Sequence, residues 1–415
     1  MALIMDLFFY ALIFLSVYVQ IFFLVTFLEN RKKIIVREGA IKLDHYPAVT
    51  IAVPCWNEEA TVYKTVRSLL ALNYPKDKLK IFLIDDGSTD GTYRVIKRFE
   101  KYSNITVFQK ENGGGKHSAL NFALSKLKTN FFSCLDADSF ADSESLVRIM
   151  SYFAFDPMVM AVAPSVTVSS AGNMIQRAQQ AEYCMGVYTK KMLGFLGAIN
   201  VTPGPLTVFR KKVFDDLGPY RHGHNTEDME IAYRMQKNDY KIEHCNDAYV
   251  YTNTPATIKK LYKQRLRWIY GFINNTIDYR SVLFQKKYGN FALFTLPTGV
   301  ISILAISYLF GGIIYNLFKS LYSKFIQFKT VGFSLSSPKF DFDWFFVNTQ
   351  SSVFLVIFIY ALVAFAIIFG QWMSERKWKI SLNMIYFFVI FRLIAPFWLL
   401  KAIYNTILKR KPDWR

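Results

Sequence analysis

Long charge-free apolar runs near both ends constrain this chain more than any other feature. Residues 7–28 contain no charged side chain, and a helix of that length crosses the roughly 30 Å hydrocarbon core of a bilayer. Residues 291–318 and 352–372 are also free of charge, and residues 380–400 carry only Arg392. Such runs are typical of membrane-spanning helices. The pattern therefore predicts a central domain between an N-terminal anchor and a C-terminal membrane region.

The charges that flank these runs predict how the chain lies in the membrane. Asp6 precedes the first run and four basic residues follow it within residues 31–37, the reverse of a cleaved signal peptide. Because basic residues favour the cytoplasmic side, we expect an uncleaved anchor with its N-terminus outside and the next domain in the cytoplasm. The basic segment 375–379 should be cytoplasmic too, yet three later crossings would leave the basic residues 409–411 outside. A re-entrant or interfacial segment around residues 325–346 would bring residues 409–411 back to the cytoplasmic side, and the sequence leaves both topologies open.

A net charge of +19 raises the question of a nucleic-acid partner. Clustered Lys and Arg are the electrostatic footprint of such proteins, but much of the surplus here flanks apolar runs, as expected beside anionic headgroups. No DNA- or RNA-binding motif accompanies it, so we predict a lipid bilayer and no nucleic acid as partner. The five histidines lack metal-ligand spacing. The four cysteines, Cys55, Cys134, Cys184 and Cys245, are far apart, which predicts buried free thiols in a reducing compartment without zinc or a structural disulfide.

Residues 49–163 alternate short apolar runs with amphipathic stretches, the pattern of an α/β sheet. Strands are predicted at 49–53, where Pro54 ends the run, and at 81–84, 106–108 and 130–135; helices are predicted at 60–72 and 118–127. Acidic residues follow two of these strands, at positions 85–86 and 136–138. In open α/β sheets ligands bind at this carboxyl edge. The sequence therefore places a candidate site there.

Two short motifs suit a nucleotide diphosphate. Asp136 and Asp138 directly follow a strand, where both carboxylates can share a hard divalent cation that also binds phosphate oxygens. The run 112–118 (NGGGKHS) is Gly-rich, but its spacing is not that of an ATPase P-loop. Its backbone amides and Lys116, at a predicted helix start, can still attract a phosphate.

Seven motifs together carry a resemblance to a known family. They are residues 53–58 (VPCWNE), 85–90 (DDGSTD), 115–116 (GK), 136–138 (DAD), 204–207 (GPLT), 226–228 (TED) and 264–268 (QRLRW). In this order they resemble the processive family 2 glycosyltransferases, the group of cellulose, chitin, hyaluronan and poly-N-acetylglucosamine synthases. The likeness covers roughly residues 49–270. The layout of one anchor, a cytoplasmic domain and a C-terminal membrane block is most similar to bacterial poly-N-acetylglucosamine synthases.

The resemblance implies a fold and a domain plan. The fold is α/β, with a GT-A-type, Rossmann-like catalytic domain, transmembrane helices at both ends and interfacial helices between them. The expected parts are an anchor at residues 1–30, a cytoplasmic catalytic domain at 45–255, interfacial helices with the QxxRW motif at 256–288, and about three transmembrane helices within 289–415. The protein is then a multi-pass protein of the plasma membrane.

The resemblance also implies site residues. The donor UDP-sugar is expected to contact Pro54, Asn57, Glu58, Asp85, Asp86, Lys116, Asp136, Gln264 and Arg267. Asp136 and Asp138 would hold Mg²⁺ or Mn²⁺, which stabilises the charge on the UDP leaving group. Asp228 would be the general base, supported by Glu227. The growing polysaccharide acceptor is expected to contact Gly204, Pro205, Leu206 and Trp268.

Some alternatives stay open. Lys259, Lys260, Lys263 and the arginines beside Trp268 also suit a helix at the headgroups, and Arg392 suits either the wall of a polymer passage or a snorkelling position. A non-processive family 2 transferase that moves one sugar to a lipid carrier is the second candidate, a cellulose- or hyaluronan-type synthase the third, and an inactive transporter or scaffold the last. The donor is expected to be UDP-N-acetylglucosamine by analogy. Accessory membrane or export proteins are a further expected class of partner.

Overall fold

A computed structural model describes residues 2–34, 42–331, 351–376, 378 and 380–412. Its centre is an eight-stranded mixed sheet with the order β3-β2-β1-β4-β7-β6-β8-β5. The strands are β1 (Val49–Cys55), β2 (Leu79–Asp86), β3 (Ile105–Lys110), β4 (Phe131–Cys134), β5 (Ser139–Ala141), β6 (Val159–Val168), β7 (Val208–Arg210) and β8 (Lys241–Thr252). The predicted α/β alternation is confirmed.

Twelve α-helices lie within the described residues. They are α1 (Ala2–Asn30), α2 (Val62–Leu70), α3 (Thr92–Lys97), α4 (Lys116–Ser125), α5 (Ser145–Phe155), α6 (Met174–Phe195), α7 (Lys212–Leu217), α8 (Glu227–Lys237), α9 (Ile258–Asp278), α10 (Leu296–Val331), α11 (Ser351–Glu375) and α12 (Leu382–Ile407). A π-helical turn, Phe291–Thr295, leads into α10. The helices predicted at 60–72 and 118–127 are α2 and α4.

The strands β3, β2, β1 and β4 pair in parallel, so their carboxyl ends meet at one edge of the sheet. The prediction that Pro54 ends the first strand is wrong, because β1 continues through Pro54 to Cys55. The reason lies in the pairing. β4 pairs with β1 only as far as Ala52, whereas β2 continues beside Pro54. The missing proline N–H thus faces no strand on the β4 side and costs no ladder bond.

Two long helices, α6 and α9, lie between the sheet domain and the apolar helices. Cys184 and Tyr188 on α6 pack against α11, where Phe365 meets the Tyr188 ring. A Cβ atom added to Gly370 of α11 would lie 1.8 Å from the carbonyl oxygen of Cys184. The two backbones are therefore in direct contact, and only glycine fits there.

Four described helical segments are long and apolar enough to cross a membrane. They are Leu7–Lys33, Phe291–Thr330, Val353–Ser374 and Leu382–Ile407. α1 packs on the others through aromatic rings, with 4.5 Å between the ring centroids of Phe22 and Phe294 and 4.5 Å between those of Phe27 and Phe369. Of the segment 325–346, the first residues continue α10 to Val331; the remainder lies outside the described residues, as do positions 377 and 379 of the basic segment.

Both ends of α12 contact the layer formed by α6 and α9. At its start, Asn383 Nδ2 donates to Gln180 Oε1 of α6 at 3.0 Å. Near its end, Asn274 Nδ2 of α9 donates to Thr406 Oγ1 at 3.0 Å. The chain then continues to Lys411. This geometry bears directly on the topology that the sequence left open.

Candidate active site

A cavity of about 740 Å³ lies between the carboxyl edge of the sheet and helices α6 and α9. Thirteen of the predicted site residues line it: Pro54, Glu58, Asp86, Lys116, Asp136, Asp138, Gly204, Pro205, Glu227, Asp228, Gln264, Arg267 and Trp268. All seven motifs therefore contribute residues to this one cavity. Their chemical roles remain predictions.

Two predicted nucleotide contacts, Asn57 and Asp85, lie outside the cavity lining. Asn57 is exposed and has a left-handed backbone with φ 56°. Its side-chain oxygen accepts from Thr89 N at 2.8 Å, so it joins the loops after β1 and β2. Asp85 is fully buried and accepts from Ser88 N at 3.3 Å. Adjacent strand residues point to opposite faces, and it is Asp86 that lines the cavity.

Lys116 is the first residue of α4 and its ammonium lies among carboxylates. It forms an ion pair with Asp136, and its Nζ is 3.5 Å from Glu227 Oε1. Burial favours the neutral amine and so lowers the pKa of Lys116. The negative charges of Asp136 and Glu227 act in the opposite direction, and the pKa of Lys116 is raised as a result. The lysine is therefore a fixed cation at the centre of the cavity, available to a phosphate at the start of a helix.

Gly204 leaves room for this ion pair in the observed geometry. A Cβ atom there would lie 2.4 Å from Lys116 Nζ and 3.4 Å from Asp136 Oδ2. Leu206, two residues later, lies outside the cavity lining. It is fully buried with φ 60°, and its N–H donates to Cys134 O at 2.6 Å. The 204–207 turn therefore packs through its backbone beneath Asp136 and Asp138, the acidic pair.

Asp136 and Asp138 fit a divalent cation bound together with a substrate. Burial and the charges of Asp136 and Glu58 raise the pKa of Asp138 to about 6, so the negative charge is concentrated where a cation would relieve it. Within the described residues no group of three or more His, Cys, Asp or Glu side chains is arranged to hold a metal by itself. Hard cations accept two carboxylates when phosphate oxygens complete their coordination.

Asp228 lies in the first turn of α8, with its carboxylate on the cavity wall. Its Oδ1 accepts from Met229 N at 2.9 Å. Burial and the neighbouring Glu227 raise the pKa of Asp228 to about 6, although Lys116 and Arg267 act in the opposite direction. A half-buried carboxylate with a pKa near the working pH is suited to accept a proton.

The turn before α8 is held by α9. Asn275 Nδ2 donates to Thr226 Oγ1 at 2.9 Å, and a Cβ atom on Gly271 would lie 2.3 Å from the same oxygen. Arg267 Nη1 donates to Asn225 O at 2.7 Å. These contacts fix the TED and QxxRW motifs relative to each other, so Asp228 and Trp268 line one cavity.

Sequence reasoning missed several cavity residues on α6. Tyr183, Gly186, Val187 and Lys190 line the cavity at helical spacing, but apolar spacing alone cannot tell a cavity wall from a core. Burial lowers the pKa of Lys190 to about 8, against the charge of Asp228. Glu182 also lines the cavity, and so does Arg265. Arg265 lies inside the QRLRW motif, in which only Gln264, Arg267 and Trp268 were predicted site residues.

Comparison with known proteins agrees with this geometry. A model of the family described as "Glycosyltransferase like family 2" matches residues 47–271, more than half of the chain. The chain therefore belongs to this glycosyltransferase family.

Two relatives carry the same printed name. A poly-beta-1,6-N-acetyl-D-glucosamine synthase of Staphylococcus epidermidis is 26% identical over 356 residues, covering 82% of this chain and 83% of its own. One of Staphylococcus aureus (strain COL) is 27% identical over 304 residues, covering 72% and 73%.

A solved structure shares the fold. A mannosyltransferase from Pyrobaculum calidifontis, in complex with GDP-Man and Mn²⁺, superposes with a TM-score of 0.53 at 18% identity, covering 75% of this chain and 94% of its own. The predicted GT-A-type fold is thereby confirmed. With the family match, the chain is a sugar transferase.

Proposed function

We propose that the protein is an inverting, processive glycosyltransferase that polymerises UDP-N-acetylglucosamine into a β-linked polysaccharide and passes it across the plasma membrane. One observation carries the proposal: a single cavity contains the acidic pair, Asp228 and Trp268 beneath apolar helices. The names of the two staphylococcal relatives support the sugar and the polymeric product.

The donor occupies the sheet side of the cavity in this proposal. Asp86 and Glu58 lie at the ends of β2 and β1, where hydrogen bonds to the uridine are possible. Lys116 contacts the diphosphate from the start of α4. Asp136 and Asp138 would hold a Mg²⁺ or Mn²⁺ ion, which would supply positive charge to the departing diphosphate; the mannosyltransferase of the same fold is in complex with Mn²⁺.

The reaction is a single displacement. An acceptor hydroxyl oxygen attacks the anomeric carbon, the bond from that carbon to the phosphate oxygen breaks, and UDP departs with the electron pair. Asp228 takes the hydroxyl proton, since its carboxylate is on the cavity wall and its pKa is raised to about 6. Attack opposite the leaving group converts an α-linked donor into a β-linked product. Glu227 stays beside Lys116 and balances its charge.

The acceptor occupies the side formed by α6 and α9. Trp268 offers a flat face to the apolar side of a pyranose ring. Gln264, which the resemblance assigned to the donor, lies on the acceptor side in this proposal. Its Oε1 is buried and, among the described residues, has no hydrogen-bond partner, so a sugar hydroxyl there would satisfy it. This side lies next to the apolar helices, as a transferase that also exports its product requires.

The contacts of α12 support three crossings rather than four. Its 26 residues extend about 39 Å, yet both ends contact the α6–α9 layer, which carries too many charges to span a bilayer. Burial, His117 and Lys411 together lower the pKa of His222, which places the basic tail near the cavity. In this topology α1, α10 and α11 cross, α12 lies along the cytoplasmic interface, and the tail obeys the positive-inside rule.

The function is tested with membranes that contain the full chain and a panel of radiolabelled UDP-sugars. We expect incorporation of label from UDP-N-acetylglucosamine into a high-molecular-weight product that a β-N-acetylglucosaminidase degrades. Label recovered only in an organic-extractable lipid would instead identify the non-processive transferase. Label from UDP-glucose or UDP-glucuronate would change the donor and keep the reaction class.

A further inference from the structure

An ion pair joins α6 to α9 on the side of the cavity next to the apolar helices. Arg265 of α9 is 4% exposed, and its Nη2 is 2.5 Å from Glu182 Oε2 of α6. The two residues are 83 positions apart in the chain. Both line the cavity, and the roles assigned above use neither of them.

The guanidinium of Arg265 also lies between two aromatic rings. Its Cζ is 4.1 Å from the ring centroid of Trp268 and 5.8 Å from that of Phe391 on α12. Cation–π contact of this kind orients a ring as well as attracting it. One face of the indole is thereby covered, so a sugar ring can stack only on the other.

The arrangement is not explained by stability alone. Nε and Nη1 of Arg265 are buried and, within the part of the chain that the structure describes, have no hydrogen-bond partner. Burial raises the pKa of Glu182, and Arg265 lowers it. Buried unpaired donors and buried charges both cost stability. Apolar residues of similar volume often replace a buried ion pair without loss of stability, so a functional reason for the pair is worth testing.

We propose that Glu182 and Arg265 are positioning residues that hold Trp268 as a one-sided stacking surface for the growing polysaccharide. Glu182 fixes the guanidinium, the guanidinium fixes the indole, and Phe391 ties the assembly to α12. This inference rests on the proposed function, because it assigns the acceptor to the Trp268 side of the cavity.

The test compares four variants of the full chain in membranes. Arg265→Lys keeps the charge and the ion pair but loses the planar stacking group, and Glu182→Gln removes the charge that fixes Arg265. The double variant Glu182→Arg with Arg265→Glu restores an ion pair without a cation on Trp268. Glu230→Gln is the matched control, since Glu230 forms a buried ion pair with Arg234 at 2.7 Å outside the cavity lining. Product length and UDP affinity are measured for each.

We expect Arg265→Lys and Glu182→Gln to weaken retention of the growing chain by about two- to thirtyfold, the range that a cation–π contact supports. Their products should be shorter, with UDP affinity close to that of the wild type. The double variant should also make short product, and Glu230→Gln should make product of normal length.

Three results would overturn the inference. They are normal product length in both single variants, full rescue by the double variant, and loss of UDP affinity in parallel with length. If the wild type transfers single sugars only, the proposed processive function fails; the pair is then judged by the KM for the acceptor, and an unchanged KM in Arg265→Lys contradicts the inference.

Discussion

The two walls of the cavity are built in different ways. The sheet-side wall consists of strand ends and the start of α4, and its polar groups contact each other, as Lys116 and Asp136 do. The membrane-side wall consists of one face each of α6 and α9, and it contains polar groups that have no hydrogen-bond partner among the residues the structure describes, such as Gln264 Oε1 and Arg265 Nη1. The first wall is suited to a ligand with fixed charges. The second wall is suited to a neutral, flat sugar unit, and each catalytic cycle brings a new unit of the growing chain to that position.

Asp228 lies where the two walls meet, and its substitution should have the largest effect. Asp228→Asn keeps the size of the side chain and removes the group that accepts the proton, so UDP release should fall by about 10²–10⁴-fold. UDP affinity, measured by calorimetry, should be unchanged because neither wall is altered. Asp239→Asn, at an exposed residue two positions beyond the end of the same helix, is the control. Loss of UDP affinity in Asp228→Asn would mean that this carboxylate belongs to the sheet-side wall.

Asp138→Ala should affect the sheet-side wall alone. Replacing a residue that only supports a metal ligand commonly costs about 10–100-fold in metal affinity. Loss of a direct ligand should therefore raise the Mn²⁺ concentration for half-maximal activity by at least about 100-fold. The products that remain should keep their normal length. Asp77→Ala, on an exposed loop, provides the comparison for folding. Full activity of Asp138→Ala in excess EDTA would remove the metal from this site.

Trp268→Ala is the corresponding test of the membrane-side wall. Loss of an aromatic stacking surface costs on the order of 1–3 kcal/mol, or about 5- to 150-fold in affinity, and should appear as shorter polymer with normal UDP binding. Trp268→Phe, which keeps a flat ring, should recover part of the length. If UDP binding collapses while the product keeps its length, the indole contacts the donor.

The pH dependence should be the smallest of these effects. Burial raises the pKa of Asp228 from 3.8 to about 6, so the carboxylate is protonated, and cannot accept a proton, at pH values where an exposed aspartate would still be charged. With saturating metal and donor, the rate should fall about tenfold for each pH unit below 6 and level off above it. A rate that stays constant down to pH 5 would assign the base to another group.

The sheet-side wall could be predicted from the sequence more fully than the membrane-side wall. Its acids follow strands directly, and the carboxyl edge of a parallel sheet is a known place for ligands. Even so, the sequence could not separate Asp85 from Asp86, because one residue of register decides which of them faces the cavity. The prediction that Pro54 ends the first strand was wrong for a similar reason, because the cost of a proline in a strand depends on whether the neighbouring strand on its N–H side has already ended.

The membrane-side wall depends on contacts that no local pattern shows. Glu182 and Arg265 meet only after the chain has folded, and Tyr183 and Lys190 carry no spacing that distinguishes a cavity face from a buried one. The proposed topology also depends on contacts of this kind. The apolar length of α12 fits a span, and only the contacts at both of its ends, Asn383 and Thr406, argue for a place along the interface.

The backbone contact at Gly370 limits how this protein can be divided for laboratory use. Because α11 touches the main chain of α6 at Cys184, a fragment that ended before α10 would keep all seven motifs and still uncover the face of α6 against which α11 packs. The ring of Tyr188, 2% exposed in the intact chain, would face water along with its neighbours. Such a fragment should aggregate, and soluble versions will have to retain α11 or replace the surface that it covers.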